Sequence, residues 1–143
     1  MRIEKQVIIH KPIEEVFAFL TDMRNVPRWT LVKSIRPSDP NDPSVAVGKT
    51  FVQHIEFMNQ HFEVQTEVTH YEPPRLFAFL LKSGPLPLES RFTLTPDDDG
   101  TQLTLVGEGE PGSVLKVLGP LAVNIARKQL DSQLNTLKSI MEG

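Results

Sequence analysis

The stretch PGSVLKVLGPLAVNIARKQLDSQLNTLKSIMEG, Pro111 to Gly143, reads as a long helix, and the residues before it read as strands and turns. From Val114 to Ala126 it is apolar on nearly all sides, broken mainly by Lys116 and Asn124. From Leu130 it narrows to a stripe of Leu130, Leu134, Leu137 and Met141, spaced 4, 3 and 4. Residues at that spacing share the face a helix lays on a core, so the first half is expected to be the more buried one. Gly119-Pro120 interrupts that half. Pro120 has no N–H and its ring crowds the carbonyl of Lys116, which predicts a kink or a restart. A helix this apolar requires a concave apolar surface to lie in.

Composition excludes several classes of function. A chain of 143 residues is expected to form one domain, 1–143, with a substantial core. Lys plus Arg number 15 against 18 for Asp plus Glu, with no basic run, so no nucleic-acid partner is expected. The absence of cysteine removes disulfides, thiolate catalysis and Cys-based zinc sites. No early apolar region and no span of membrane length is present, which predicts a cytoplasmic protein without membrane insertion.

Taken in order, Arg2 to His10 alternates as a strand through Ile3, Val7 and Ile9. Pro12 suits a first helical position, Glu14 and Glu15 suit the first turn, and Val16, Phe17 and Leu20 form an apolar face that closes near Leu20 to Asp22. A second short turn, Asp22 to Trp29, carries Pro27 and the only tryptophan. Leu31, Val32 and Ile35 predict another strand before a Pro-rich loop, in which Asp39 to Ser44 is either a gate at a cavity mouth or simply mobile.

The turns in the middle of the chain predict registers. A two-residue turn at Asn59-Gln60 sets Phe57 opposite Phe62, Ile55 opposite Val64, Gln53 opposite Thr66 and Phe51 opposite Val68. The other face then carries Glu56 beside Glu63, with His54 and Gln65, either an acid/base pair or a solvated outer face. Counting from Pro73-Pro74 places Val68 opposite Phe79, Thr66 opposite Leu81 and His70 opposite Phe77. The turn at Asp97 to Gly100 pairs Leu94 with Leu103, Phe92 with Leu105 and Ser90 with Gly107. The inner faces agree across three turns, which predicts one antiparallel sheet with segregated helices, an α+β fold.

The opening VIIHKPIEEVFAFLTDMRNVPRW resembles the start of the polyketide cyclase/dehydrase-like branch of the START/Bet v 1 (SRPBCC, helix-grip) superfamily. The matching pattern is a strand, Pro-x-Glu-x-Val-Phe, Thr-Asp at the helix end and Trp after Pro. The later Val-Gly-Lys, the Glu-Pro-Pro-Arg turn and the C-terminal helix also fit. The resemblance implies a seven-stranded antiparallel sheet wrapped around the long C-terminal helix, with two short helices between strands 1 and 2 and an elongated cavity between sheet and helix. It further implies an apolar ligand such as a lipid, sterol, hormone or polyketide, with cyclisation or dehydration in a minority of members.

The residues expected to line that cavity are Trp29, Phe51, Gln53, Ile55, Phe57, Val64, Thr66, Val68, Phe77, Phe79, Ser90, Phe92 and Leu105, with Leu118, Leu121, Ala122 and Ile125 from the helix. Phe62 and Leu81 share the same face. Such a set makes either a small-molecule pocket or a filled core. Gly107 and Gly109 also point inward, either admitting the helix closely or leaving room for a ligand. Trp29 is either a cap on the ligand or a core plug. Acid–base catalysis needs a titratable group inside the pocket, and the inward candidates are His70, Lys49 and Lys5, with His70 the best base. Glu89, Arg91 and Glu108 are expected to face solvent. His54, His61 and His70 share no face in these registers, so no metal is expected, and no cofactor is implied.

Two functions follow, with a weaker third. One is binding or transport of an apolar lipid, isoprenoid or polyketide-like molecule. The second is a cyclase or dehydratase using His70 or Lys49. The third is a protein-interaction module with a filled cavity. The chain is expected to be a monomer or homodimer.

Overall fold

The computed structural model describes residues 1–84, 87–109 and 119–143. Strand β1 (Arg2–Ile9) leads into α1 (Ile13–Thr21), a 3-10 turn (Met23–Asn25) and α2 (Val26–Trp29). Six strands follow: β2 (Val32–Pro37), β3 (Thr50–Phe57), β4 (Gln60–Glu72), β5 (Leu76–Leu81), β6 (Leu88–Asp97) and β7 (Gly100–Gly109). The long helix α3 (Leu121–Glu142) closes the chain. All seven strands form one antiparallel sheet in the order β1-β7-β6-β5-β4-β3-β2. This is the helix-grip arrangement expected from the sequence.

Pro12 stands one place earlier than expected, as the N-cap of α1. Asp22 caps the next turn by accepting from the backbone N–H of Arg24 at 3.0 Å. The core lies between the inner face of the sheet and the helices. Phe92, Leu94, Leu103 and Leu105 from β6 and β7 meet Leu130, Leu134 and Leu137 of α3 and Val16, Phe17 and Leu20 of α1. Glu142 at the end of α3 accepts from Lys138 and from the backbone N–H of His10 at 2.9 Å. Those contacts hold its carboxyl below the usual range and tie the helix end to the β1–α1 corner.

The α3 helix begins directly after Gly119, whose φ of 57° suits a residue without a side chain, and Pro120. Residues 111–118 of the anticipated helix, Leu118 included, lie outside the described residues. Of the first half, only residues 119–126 are described: Leu121, read as inward, is 60% exposed, whereas Ala122 and Ala126 are buried, as are Leu134 and Leu137 farther along. A helix starting at Leu121 sets its phase by Ala122 and Ala126, which are buried and leave Leu121 on the outer side. Leu121→Ala should therefore change stability by no more than about 0.5 kcal/mol in denaturant unfolding, the range of surface substitutions. A loss of about 2 kcal/mol or more would place that side chain in a packed site.

Two registers differ from expectation. The β3–β4 turn is Met58-Asn59, both with positive φ (53° and 62°), so Phe57 pairs with Gln60, Ile55 with Phe62, Gln53 with Val64 and Phe51 with Thr66. The pairing moves by two residues, which preserves the inner and outer faces. Glu56 consequently pairs with His61, and Glu63 pairs with His54 and takes a 3.0 Å bond from Arg36, so the two carboxylates do not oppose each other. In β4 a bulge between Val68 and His70 shifts the end of the strand: Val68 and Thr66 face Phe79 and Leu81 as expected, but His70 pairs with Ala78 and Tyr71 with Phe77. The β6–β7 pairings are those counted from the turn.

Candidate functional site

A cavity of about 100 Å³ lies between the middle of the sheet, the short helices and α3. Each sheet strand from β3 to β6 contributes its inward alternation. These are Phe51, Gln53 and Ile55 from β3, Thr66 and Val68 from β4, Phe77, Phe79 and Leu81 from β5, and Leu88, Ser90 and Phe92 from β6. Trp29 from α2 closes one side, its ring edge-on to Phe92 with centroids 6.0 Å apart. Phe77, Phe79 and Phe92 form a mutual cluster with centroids 5.7 to 6.4 Å apart. The side chains of Leu31, Val32 and Ile35, with Thr30, complete the wall beside Trp29.

The remaining sequence candidates among the described residues lie elsewhere. Phe57, Val64 and Ala122 are buried in a second apolar cluster, with Ile125 and Phe62 packed against it. Leu105 is in the main core. Leu121 is on the surface. The sequence reading missed Leu20, Met23 and Val26, and it missed Gln129, Leu130 and Gln133 of α3 as cavity residues. Gln129 and Gln133 are one helical turn apart and flank Leu130, so their place at the edge of the Leu stripe was the available signal.

Gly107 answers one open question. A methyl group built there would lie 3.0 Å from Leu130 Cδ1, tighter than ordinary packing, so the bare Cα of Gly107 seats the Leu130 side chain of α3 closely rather than leaving open space. Gly109 is similarly crowded, by the backbone of Pro87 and Leu88.

The titratable candidates face away from the cavity or are occupied. The bulge turns His70 to the outer face, where its Nε2 accepts from Arg91 at 3.2 Å. Arg91 also donates to Glu89 at 3.2 Å, and Glu89 accepts from Thr69 at 3.1 Å. Lys5 reaches Asp131 of α3 at 3.9 Å. His54 and His61, expected to share no face, share a hydrogen bond at 3.0 Å on the outer face, so that expectation is corrected. Among the described residues no group of three or more His, Cys, Asp or Glu is placed to hold a metal ion.

Lys49 pairs with Asp42 in the loop after β2. Asp42 also accepts from the hydroxyl of Ser44 at 2.6 Å, and Asn41 and Asp42 bond back to Asp39, so the Asp39 to Ser44 segment is a pinned turn. The Lys49 ammonium, then the Ser44 hydroxyl and amide, lower the Asp42 carboxyl to about 2. Because this folded value lies below the ordinary 3.8, the pairing contributes fully above that value and is lost as pH falls through about 2. A carboxyl-carbon NMR titration of Asp42 should give a midpoint near 2. A midpoint near the ordinary 3.8 would mean that the turn is not latched.

Comparison with known proteins fits this geometry. A family model described as "Polyketide cyclase / dehydrase and lipid transport" matches residues 1–142. Among solved structures, the chain is similar to a conserved protein from Geobacillus kaustophilus at 18% identity and TM-score 0.81, over 99% of this chain and 95% of that one. It is similar to a protein from Thermus thermophilus at 16% identity and TM-score 0.80, over 99% of this chain and 97% of that one. A protein from Mesorhizobium loti matches at 20% identity and TM-score 0.72, over 99% and 97%. At these identities the likeness is one of fold. No curated protein matches the chain.

Proposed function

Because the chain belongs to the polyketide cyclase / dehydrase and lipid transport family, we propose that it binds one apolar small molecule in the cavity between sheet and C-terminal helix, and acts as its carrier. The ligand class is a lipid, an isoprenoid or a polyketide-like compound. The carrying observation is the lining: apolar and aromatic side chains with a few neutral polar groups, and no titratable side chain among the described lining residues. General acid–base chemistry needs such a group within hydrogen-bond reach of the substrate, so the lining favours holding a molecule over transforming it. A cyclase or dehydratase based on His70 loses its main support, since that imidazole lies on the opposite face of the sheet. No described helix is long and apolar enough to cross a membrane.

Trp29, the only tryptophan, is a built-in reporter. Titration with the neutral apolar probe 1-aminoanthracene should quench its fluorescence saturably at one probe per chain. Ser90→Leu, which places a larger side chain on the cavity wall opposite Phe79, should weaken that binding at least about tenfold by occupying the space. Linear quenching without saturation, unchanged in Ser90→Leu, would contradict the proposal.

A further inference from the structure

Burial of polar atoms in this protein is selective. The hydroxyl of Thr21 donates to Phe17 O at 2.9 Å, that of Thr30 to Val26 O at 2.7 Å, and that of Thr101 to Lys11 O at 2.8 Å. Two side-chain atoms among the described residues are buried without a partner: Trp29 Nε1 and Thr66 Oγ1. Their residues are 5% and 3% exposed, and both line the cavity. Native proteins satisfy the great majority of buried polar groups, and an unmade hydrogen bond costs the desolvation of the group with nothing in return. Two such exceptions on the wall of one small cavity indicate that what fills the cavity supplies their partner.

The chemistry of the two groups restricts that partner. An indole N–H donates only, so it requires an acceptor; a threonine hydroxyl can donate to the same acceptor or a neighbouring one. The described lining has no Lys, Arg or His to neutralise an anion and no Asp or Glu to neutralise a cation. A carboxylate or phosphate brought here would be a desolvated charge without a counterion. Gln53, Ser90, Gln129 and Gln133 add neutral dipoles only. Building on the cavity as ligand site, we infer that the ligand is a neutral apolar molecule bearing a carbonyl oxygen, a ketone, ester or quinone. Trp29 Nε1–H is its principal donor and Thr66 Oγ1–H the second. On the described lining, free fatty acids and phosphorylated lipids are disfavoured as cargo.

Three probes of similar shape separate these alternatives: benzophenone, diphenylmethane and diphenylacetate. Binding is followed by calorimetry and by the single indole N–H resonance of the protein, labelled with nitrogen-15. Benzophenone should bind saturably and move the indole proton downfield, and diphenylmethane should bind without that shift. Trp29→Phe and the near-isosteric Thr66→Val should each lower the ratio of benzophenone to diphenylmethane affinity about three- to tenfold, the worth of one hydrogen bond, whatever the change in wall shape does to both probes alike. Thr66→Val serves if Trp29→Phe fails to fold. If benzophenone and diphenylmethane both bind, with the indole unmoved and both variants without effect, the carbonyl assignment is overturned and the cavity reading stands. Diphenylacetate binding more tightly than benzophenone would overturn the neutral-ligand assignment. Saturable binding of none of the three would remove the cavity reading and this inference together.

Discussion

Phe92→Ala should cost about 3–5 kcal/mol, the range for an aromatic side chain removed from a core. Phe92 is 1% exposed and touches three rings: Trp29 edge-on and Phe77 and Phe79 nearly parallel. Its removal deletes the transfer free energy of the ring and leaves a void continuous with the cavity. The walls of that void are a sheet on one side and short helices on the other, and neither can collapse freely. For a chain of this length the loss corresponds to a fall in Tm of roughly 10 °C or more. The void also removes the ring that positions Trp29, so the emission of the tryptophan should change in the folded variant. Calorimetric unfolding with emission spectra below Tm checks both effects. A cost under about 1.5 kcal/mol would mean that the aromatic cluster is loosely packed, and that the cavity boundary drawn through it is wrong.

Gly107→Val should destabilise by about 1–3 kcal/mol through overpacking, and the same substitution should cost less in a chain that already carries Leu130→Ala. The reason is geometric. A Cβ at position 107 meets Leu130 Cδ1 at 3.0 Å, and the two valine methyls extend further into the same space. Either α3 moves off the sheet or Leu130 turns into the cavity it lines. Leu130→Ala alone costs about 2–5 kcal/mol as a core truncation, so the informative quantity is the coupling between the two substitutions. A coupling of about 1 kcal/mol or more in the stabilising direction fits a helix seated on Gly107. Additive effects would show that the helix does not rest there, and the sheet–helix spacing that defines the cavity would need another cause.

How far the sequence led can be traced residue by residue. The β6–β7 hairpin was legible because its alternation is unbroken from Leu88 to Asp97 and its turn is rich in Asp and Gly. The β3–β4 turn was misplaced by one residue because it uses Met58 in a left-handed conformation, which side chains of that bulk seldom adopt. The inner-face assignment survived that error, since the pairing shifted by an even number. His70 was lost differently. A bulge adds one residue to one strand without a compositional mark, and everything beyond it changes face. The inward Tyr71, packed on Phe17 at 5.7 Å, is the visible consequence. In the long helix the Leu stripe was correctly read, but the helix phase near Pro120 was not, which exposed Leu121. Gln129 and Gln133 escaped because glutamine beside a stripe reads as solvent-facing. Only the third dimension brings Trp29 Nε1 and Thr66 Oγ1 to one cavity without partners, since neither residue type signals binding by its place in the chain.

The central claim, a cavity between sheet and helix that takes one apolar molecule, is tested most directly by native mass spectrometry of the intact chain. The protein is measured as purified without added ligand and after incubation with 1-aminoanthracene, beside Ser90→Leu treated identically. A one-to-one complex is expected in the wild-type chain, either with a co-purified neutral molecule or with the probe, and a marked loss of it in Ser90→Leu. Bare chain under every condition, or several adducts per chain in the same proportions in both proteins, would contradict it.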